Sequence, residues 1–142
     1  MRADVVEEAR RWLGTPYLHQ AATRGAGCDC LGLLRGVWRA VQGGDPPVPP
    51  YTPDWDEVAG DDLLLKAARD FLLEKSKAPL AIGDVILFRM RHGAVAKHLG
   101  IYSGTDSFIH SYSGHGVVES RLSAPWQRRV AATFQFPNPI RN

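Results

Sequence analysis

The sequence predicts an α+β domain, with N-terminal helices packed on an antiparallel β-sheet. Two observations carry this. The segments of helical period all lie in the first 77 residues, between turn-rich and proline-rich stretches, and short β-rich runs follow Pro79. Helices first and strands later do not give the alternating order of a parallel, doubly wound sheet. At 142 residues, 44% hydrophobic and 23% charged, the chain has the size and composition of one globular domain spanning 1–142.

The first helix follows from Val6, Ala9 and Leu13 on one face. Asp4 and Glu7 are spaced as a capping box, and Gly14 with Pro16 ends the helix. A turn-rich stretch, GTPYLHQAATRGAG, leads into CDCLGLLRGVWRAV. There Leu31, Leu34, Trp38 and Val41 recur at helical spacing and Gly43-Gly44 closes the run. Asp29 is the natural N-cap, which places Cys30 in the first helical turn. The proline-dense DPPVPPYTPDWD (45–56) can be neither regular helix nor central strand. It reads as an ordered arm, with Tyr51 and Trp55 to pack. A third helix is expected over 61–76, with Leu64, Ala67, Ala68 and Phe71 on one face.

Strands are expected at DVILF (84–88), HLGIYS (98–103), DSFIHSY (106–112) and, after a Gly-His-Gly turn, GVVES (116–120). A last strand, VAATFQF (130–136), alternates with Val130, Ala132, Phe134 and Phe136 on one face. No apolar run approaches the roughly 20 residues that span a bilayer, so no membrane span is expected. The N-terminal MRADVVEEARRW has no apolar h-region, so it does not read as a signal peptide and synthesis in the cytoplasm is expected. A net charge of +2 is too weak to imply nucleic acid and is compatible with many anionic partners.

The two cysteines, Cys28 and Cys30, are too close in sequence for an unstrained bridge, so at least one thiol is free. A thiol at a helix N-terminus faces unpaired N–H groups and the positive end of the dipole, and both favour thiolate. The same N–H groups could hold an oxyanion. Free cysteine is also among the most buried residue types, so position alone leaves a core thiol and a nucleophile both open. His98 and His110 add weight to the nucleophile. They lie on consecutive predicted strands, where a hairpin would make them neighbours and let His110 hold the imidazole of His98. The alternative is two half-buried sheet histidines. Cys28, Cys30 and the histidines could also bind zinc, but Cys-x-Cys is a poor knuckle and no second ligand pair follows. No metal or cofactor is expected.

GTPYLHQ…GCDCLGLLRGVW resembles the nucleophile region of the NlpC family of papain-like cell-wall peptidases. There a Gly-x-Pro-Tyr motif precedes Asp-Cys-x-Gly-Leu at a helix start. IGDVILFR resembles that family's first core strand, KHLGIYSG its histidine strand, and FIHSYSGHGVVES the strand with the third polar residue. The resemblance covers about residues 5–119. It implies Cys30 as nucleophile, His98 as general base and His110 as the orienting third member. It also implies that Tyr17 touches substrate or oxyanion and that Asp29 lines the substrate site.

Two departures stand beside the channel that the resemblance implies. Leu31 replaces a common serine, and His19-Gln20 replace a common Trp-Gly. The segment 45–77, the arm and the helix after it, has no counterpart in the minimal family. The implied activity is hydrolysis of peptidoglycan stem peptides between γ-D-glutamyl and a diamino acid. The alternatives are an amidase or acyltransferase on the same fold, or a structural tail module. His19-Gln20 and the compact length resemble the branch of phage tails and gene transfer agents. That implies tail proteins as partners, carriage in a phage-like particle, and action in the periplasm or cell wall.

Overall fold

The computed structural model describes residues 1–51, 62–76, 78–91 and 93–139. Helix α1 (Ala3–Arg10) buries Val5, Val6 and Ala9. The capping box expected from Asp4 and Glu7 does not form. The helix starts two residues early, with Arg2 at the N-cap and no side chain capping it, and the Arg2 guanidinium pairs with Asp4 at 2.9 Å. The helix also ends before Leu13, which is exposed, and a turn carries the chain to Gly14 (φ +87°). Trp12 takes the inward place instead, packed so close to helix α2 (Cys30–Val41) that any Cβ at Gly36 would enter its ring. A two-strand ribbon, β1 (Ala22–Thr23) with β2 (Gly27–Cys28), precedes α2.

Helix α3 (Leu63–Phe71) is shorter than its sequence pattern. Leu72 turns extended, and Leu73–Lys75 forms β3, paired with β8 (Val130–Gln135). The residues after Phe71 are good helix formers, so the free edge of β8 overrides local propensity here. Within the described residues α3 packs on the domain itself, burying Leu64, Leu65, Ala67 and Ala68.

Strands β4 (Val85–Arg89), β5 (Ala96–Gly104), β6 (Ser107–Tyr112) and β7 (Gly116–Arg121) complete a six-stranded sheet in the order β3-β8-β4-β5-β6-β7. Every pair in it is antiparallel. A short helix, α4 (Ala124–Gln127), joins β7 to β8. Val85, Leu87, Leu99, Ile101, Ile109 and Phe134 face the helices and form the main core. The alternate residues Ile86, Phe88 and Phe108 face the other way, with Leu122, Tyr102 and Trp126. Strand β4 is therefore covered on both sides, which explains its unbroken apolar run.

Strand order decides where the histidines go. Thr105 and Asp106 both have positive φ, the requirement of a tight two-residue hairpin turn, and they join β5 to β6. The resulting register pairs Ile101 with Ile109 on the helical face. By alternation, His98 and His110 fall on the opposite, aromatic face. Gly100 leaves them room: a Cβ there would run into the Phe108 ring and crowd His110.

Candidate active site

The thiol is positioned by the first turn of α2. Asp29 caps the helix by accepting from the Gly32 N–H at 2.7 Å through Oδ1. Its Oδ2 accepts from the Gln20 N–H at 2.7 Å and from the Tyr51 hydroxyl at 2.6 Å. A Cβ at Gly32 would collide with the Ala21 carbonyl, so only glycine lets the helix start lie against the preceding loop. That loop is fastened by Cys28, whose N–H donates to the Pro16 carbonyl and whose carbonyl accepts from Leu18. The Ser111 hydroxyl also donates to the Cys28 carbonyl, at 2.7 Å. Cys28 is thus a buried structural residue, and Tyr17, bridged to it, is set beside Cys30.

The imidazoles come from the sheet. His98 Nε2 lies 2.7 Å from His110 Nδ1, and His110 Nε2 lies 2.8 Å from Ser120 Oγ. Around them are Phe88, Phe108, Tyr112 and Trp126, with ring centroids 4.3–5.9 Å from the imidazoles. Thiol and imidazole meet at a cleft of about 140 Å³, which Cys30 and His98 both line together with Tyr17, Asp29, Tyr51 and Tyr112. The backbone N–H of Leu99, the residue after His98, points at the Cys30 sulfur. Among the described residues no hydrogen bond joins the thiol to the imidazole; such contacts often tighten only when substrate is bound. A larger groove of about 880 Å³, lined by Arg89, Arg128 and Arg129, shares only Met90 with the cleft and holds neither cysteine nor described histidine.

The charge state differs from the thiolate that the helix position suggests. Burial, and then the Asp29 carboxylate, push the Cys30 thiol up to about 12, against the opposing pull of the Leu99, Leu31 and Cys30 N–H groups. Burial pulls His98 down to about 3 and His110 to about 4. The resting pair is therefore a neutral thiol and a neutral imidazole. Desolvation outweighs the helix dipole, whose contribution is seldom above about 2 kcal/mol. Tyr17, also burial-shifted, is pushed up to about 12 and is a neutral donor.

Cys30, His98, His110, Tyr17 and Asp29 are thus brought together. Two expected neighbours of the channel are not. Leu31 is 1% exposed in the main core, because one step along a helix turns a side chain by about 100° and carries it inward from Cys30. Gln20 gives its backbone N–H to Asp29, but its side chain donates to the Tyr51 carbonyl and lines a separate groove with Arg35 and the arm prolines. His19 does line the cleft, edge-on to Tyr51 with centroids 5.5 Å apart. Sequence reading passed over Ser120. The available signal was a half-buried hydroxyl near the end of β7, between the exposed Glu119 and Arg121 and two residues on from Val118, the partner of His110. Trp55 and the rest of the arm beyond Tyr51 lie outside the described residues.

Comparison with known proteins finds relatives along most of the chain. The chain is 28% identical over 137 residues to the gamma-DL-glutamyl hydrolase of Bacillus subtilis, covering 94% of this chain and 29% of that protein. It is 26% identical over 130 residues to the murein DD-endopeptidase MepS/murein LD-carboxypeptidase of Escherichia coli K12, covering 91% of this chain and 60% of that protein. The chain therefore spans less than two thirds of the length of each of these relatives. Among solved structures, the NlpC/p60 domain of the peptidoglycan hydrolase SagA superposes with a TM-score of 0.61 at 24% identity, covering 96% of this chain and 99% of that one. An NlpC/P60 family protein from Bacillus cereus gives 0.68 at 20% identity, covering 96% and 40%. These structural likenesses establish the papain-like α+β fold. The family model described as NlpC/P60 matches residues 14–135, and the protein belongs to the NlpC/P60 family.

Proposed function

We propose that the chain is a thiol peptidase of peptidoglycan stem peptides, cleaving between γ-D-glutamyl and a diamino acid. The observation that carries this reading is the cleft shared by Cys30 and His98, with His98 held from behind by His110 at 2.7 Å. The names of the relatives, a γ-glutamyl hydrolase and a murein endopeptidase, supply the substrate class.

In this reading His98 uses Nδ1, the ring nitrogen that His110 does not engage, to take the Cys30 proton as sulfur attacks the scissile carbonyl. The C–S bond forms, and the carbonyl oxygen becomes an oxyanion held by the backbone N–H of Cys30 and the helix start. His98 returns the proton to the leaving amine as the C–N bond breaks. Water, deprotonated by the same nitrogen, then releases the acyl group and restores the thiol. Because both resting groups are neutral, proton transfer and attack proceed together rather than from a stored thiolate. His110 orients the base, and Tyr17 and Asp29 line the substrate path.

The phage-tail or gene-transfer-agent setting is part of the proposal, supported by the His19-Gln20 pair after Pro16-Tyr17. The decisive experiment is mass spectrometry of stem-peptide fragments after incubation with wild type and Cys30→Ala. Wild type is expected to give new fragments carrying one water per cut bond. Equal fragments from the variant, or none from wild type, would overturn the reading. Incorporation of the tagged protein into purified particles tests the setting.

A further inference from the structure

The hydrogen bond from His98 to His110 does not stop there; it runs on to Ser120 Oγ, which fills the second ring nitrogen of His110. His110 is fully buried, and the rings of Phe108, Tyr112 and Trp126 pack around it. Two ring nitrogens 2.7 Å apart must be one donor and one acceptor. Two proton arrangements of the neutral chain satisfy this. In the first, His98 Nε2–H donates to His110 Nδ1, and His110 Nε2–H donates to Ser120. In the second, every arrow is reversed: the Ser120 hydroxyl donates to His110 Nε2, and His110 Nδ1–H donates to His98 Nε2. A neutral His98 that accepts at Nε2 carries its proton on Nδ1, where it cannot take one from a thiol.

We infer that Ser120 is a positioning residue that sets the proton arrangement of the histidine pair, accepting from His110 and so leaving the lone pair of His98 on Nδ1. Ser120 acts through His110 and touches neither thiol nor cleft. The inference rests on the peptidase reading for its link to rate, but the tautomer is a property of the chain alone. Removing the acceptor strands a buried N–H on His110. The ring relieves this by moving its proton to Nδ1, since an unmet buried donor is less tolerated than an unmet lone pair. That shift drives His98 into the unproductive form. A threonine keeps the hydroxyl, and a cysteine offers a poorer acceptor of similar shape.

The test compares wild type, Ser120→Ala, Ser120→Thr and Ser120→Cys by nitrogen-15 NMR of the imidazoles at neutral pH, together with kcat and KM on a γ-D-glutamyl–diamino acid stem peptide. Wild type and Ser120→Thr should show His98 unprotonated at Nδ1. Ser120→Ala should show it protonated there, with kcat lower by about tenfold and KM unchanged. Ser120→Cys should fall between, which keeps the test intact should the alanine variant fold poorly. A wild-type tautomer in Ser120→Ala and Ser120→Cys, whatever their rates, overturns the inference, as does Nδ1–H on His98 in wild type. If wild type cleaves no stem peptide, the peptidase reading fails while the tautomer comparison still decides the role of Ser120.

Discussion

On one wall of the cleft, the Asp29 carboxylate gathers two backbone N–H groups and the Tyr51 hydroxyl within 2.7 Å. On the other, two imidazoles touch each other and Ser120 and are wrapped in aromatic rings. Both walls are buried, yet the carboxylate is met by three protein donors, whereas the imidazoles have only each other and a neutral hydroxyl as hydrogen-bond partners among the described residues. The three donors replace water that the buried carboxylate has lost, whereas burial among rings takes the charge from the imidazoles. Cys30 lies between the two. The charge it feels at rest is the repulsive one, and the base opposite it is neutral.

The largest effect should come from breaking the imidazole wall. His98→Ala is expected to lose about 10²–10⁴-fold in kcat/KM, the usual worth of a general base. His110→Ala should lose less, and His110→Asn or His110→Gln less again, because an amide oxygen can still accept from His98. Equal inactivity of His110→Asn and His98→Ala would show that His110 does more than orient.

Next is the carboxylate wall. Asp29→Asn turns an amide NH₂ toward groups that are themselves donors, and should cost about 1–3 kcal/mol of stability in denaturant titration. It also removes the charge beside the thiol, so iodoacetamide should alkylate Cys30 faster in the variant at neutral pH. Peptide mapping should find Cys30 modified and Cys28 spared. Slower alkylation in Asp29→Asn would mean that the carboxylate helps the thiolate rather than opposing it.

The pH dependence separates the two walls further. In wild type the alkylation rate of Cys30 should keep climbing through the alkaline range, as expected for a thiol pushed up to about 12, instead of levelling off in acid as a stored ion pair would. Stability has the opposite origin. His98 and His110 titrate near 6.5 when unfolded but are pulled down to about 3 and about 4 in the fold. Their contribution is therefore complete above pH 6.5 and is lost as pH falls toward 4, because the unfolded chain then binds protons that the folded one refuses. Melting temperatures of wild type and His110→Asn between pH 7 and 5 should diverge, the variant losing less.

The smallest effect is Tyr51→Phe, which deletes one of three donors to Asp29. A loss of about 1 kcal/mol is expected in melting experiments, with a change in KM larger than that in kcat. A change confined to kcat would move Tyr51 from the wall of the cleft into the chemistry.

What the sequence disclosed follows the same division between local and distant causes. The Asp29 cap and the position of Cys30 are local, set by residues within one helical turn, and they were readable. The pairing of the two histidine strands was readable because a short turn leaves them few other partners. Strand β3 was not, since its residues favour helix and only the edge of β8, some 60 residues away, makes them extended. The protonation of Cys30 was also hidden, because the helix start is visible in sequence and the desolvation around it is not. Tyr51 was legible as an anchor of the arm, but its landing point on Asp29 was not.

Strand β8 is the last of the described elements in the chain, yet it lies inside the sheet, between β3 and β4. On the ribosome, where chains emerge N-terminus first, Cys30, His98, His110 and Ser120 are all available before Val130 is made. Until then β4 presents a bare row of N–H and C=O groups along Val85–Phe88, among the most apolar residues of the molecule. An unpaired apolar edge is a template for another chain. A product cut short just before β8 would thus hold every side chain of the cleft and still be prone to aggregate, and crowding of nascent chains would be most harmful in that interval.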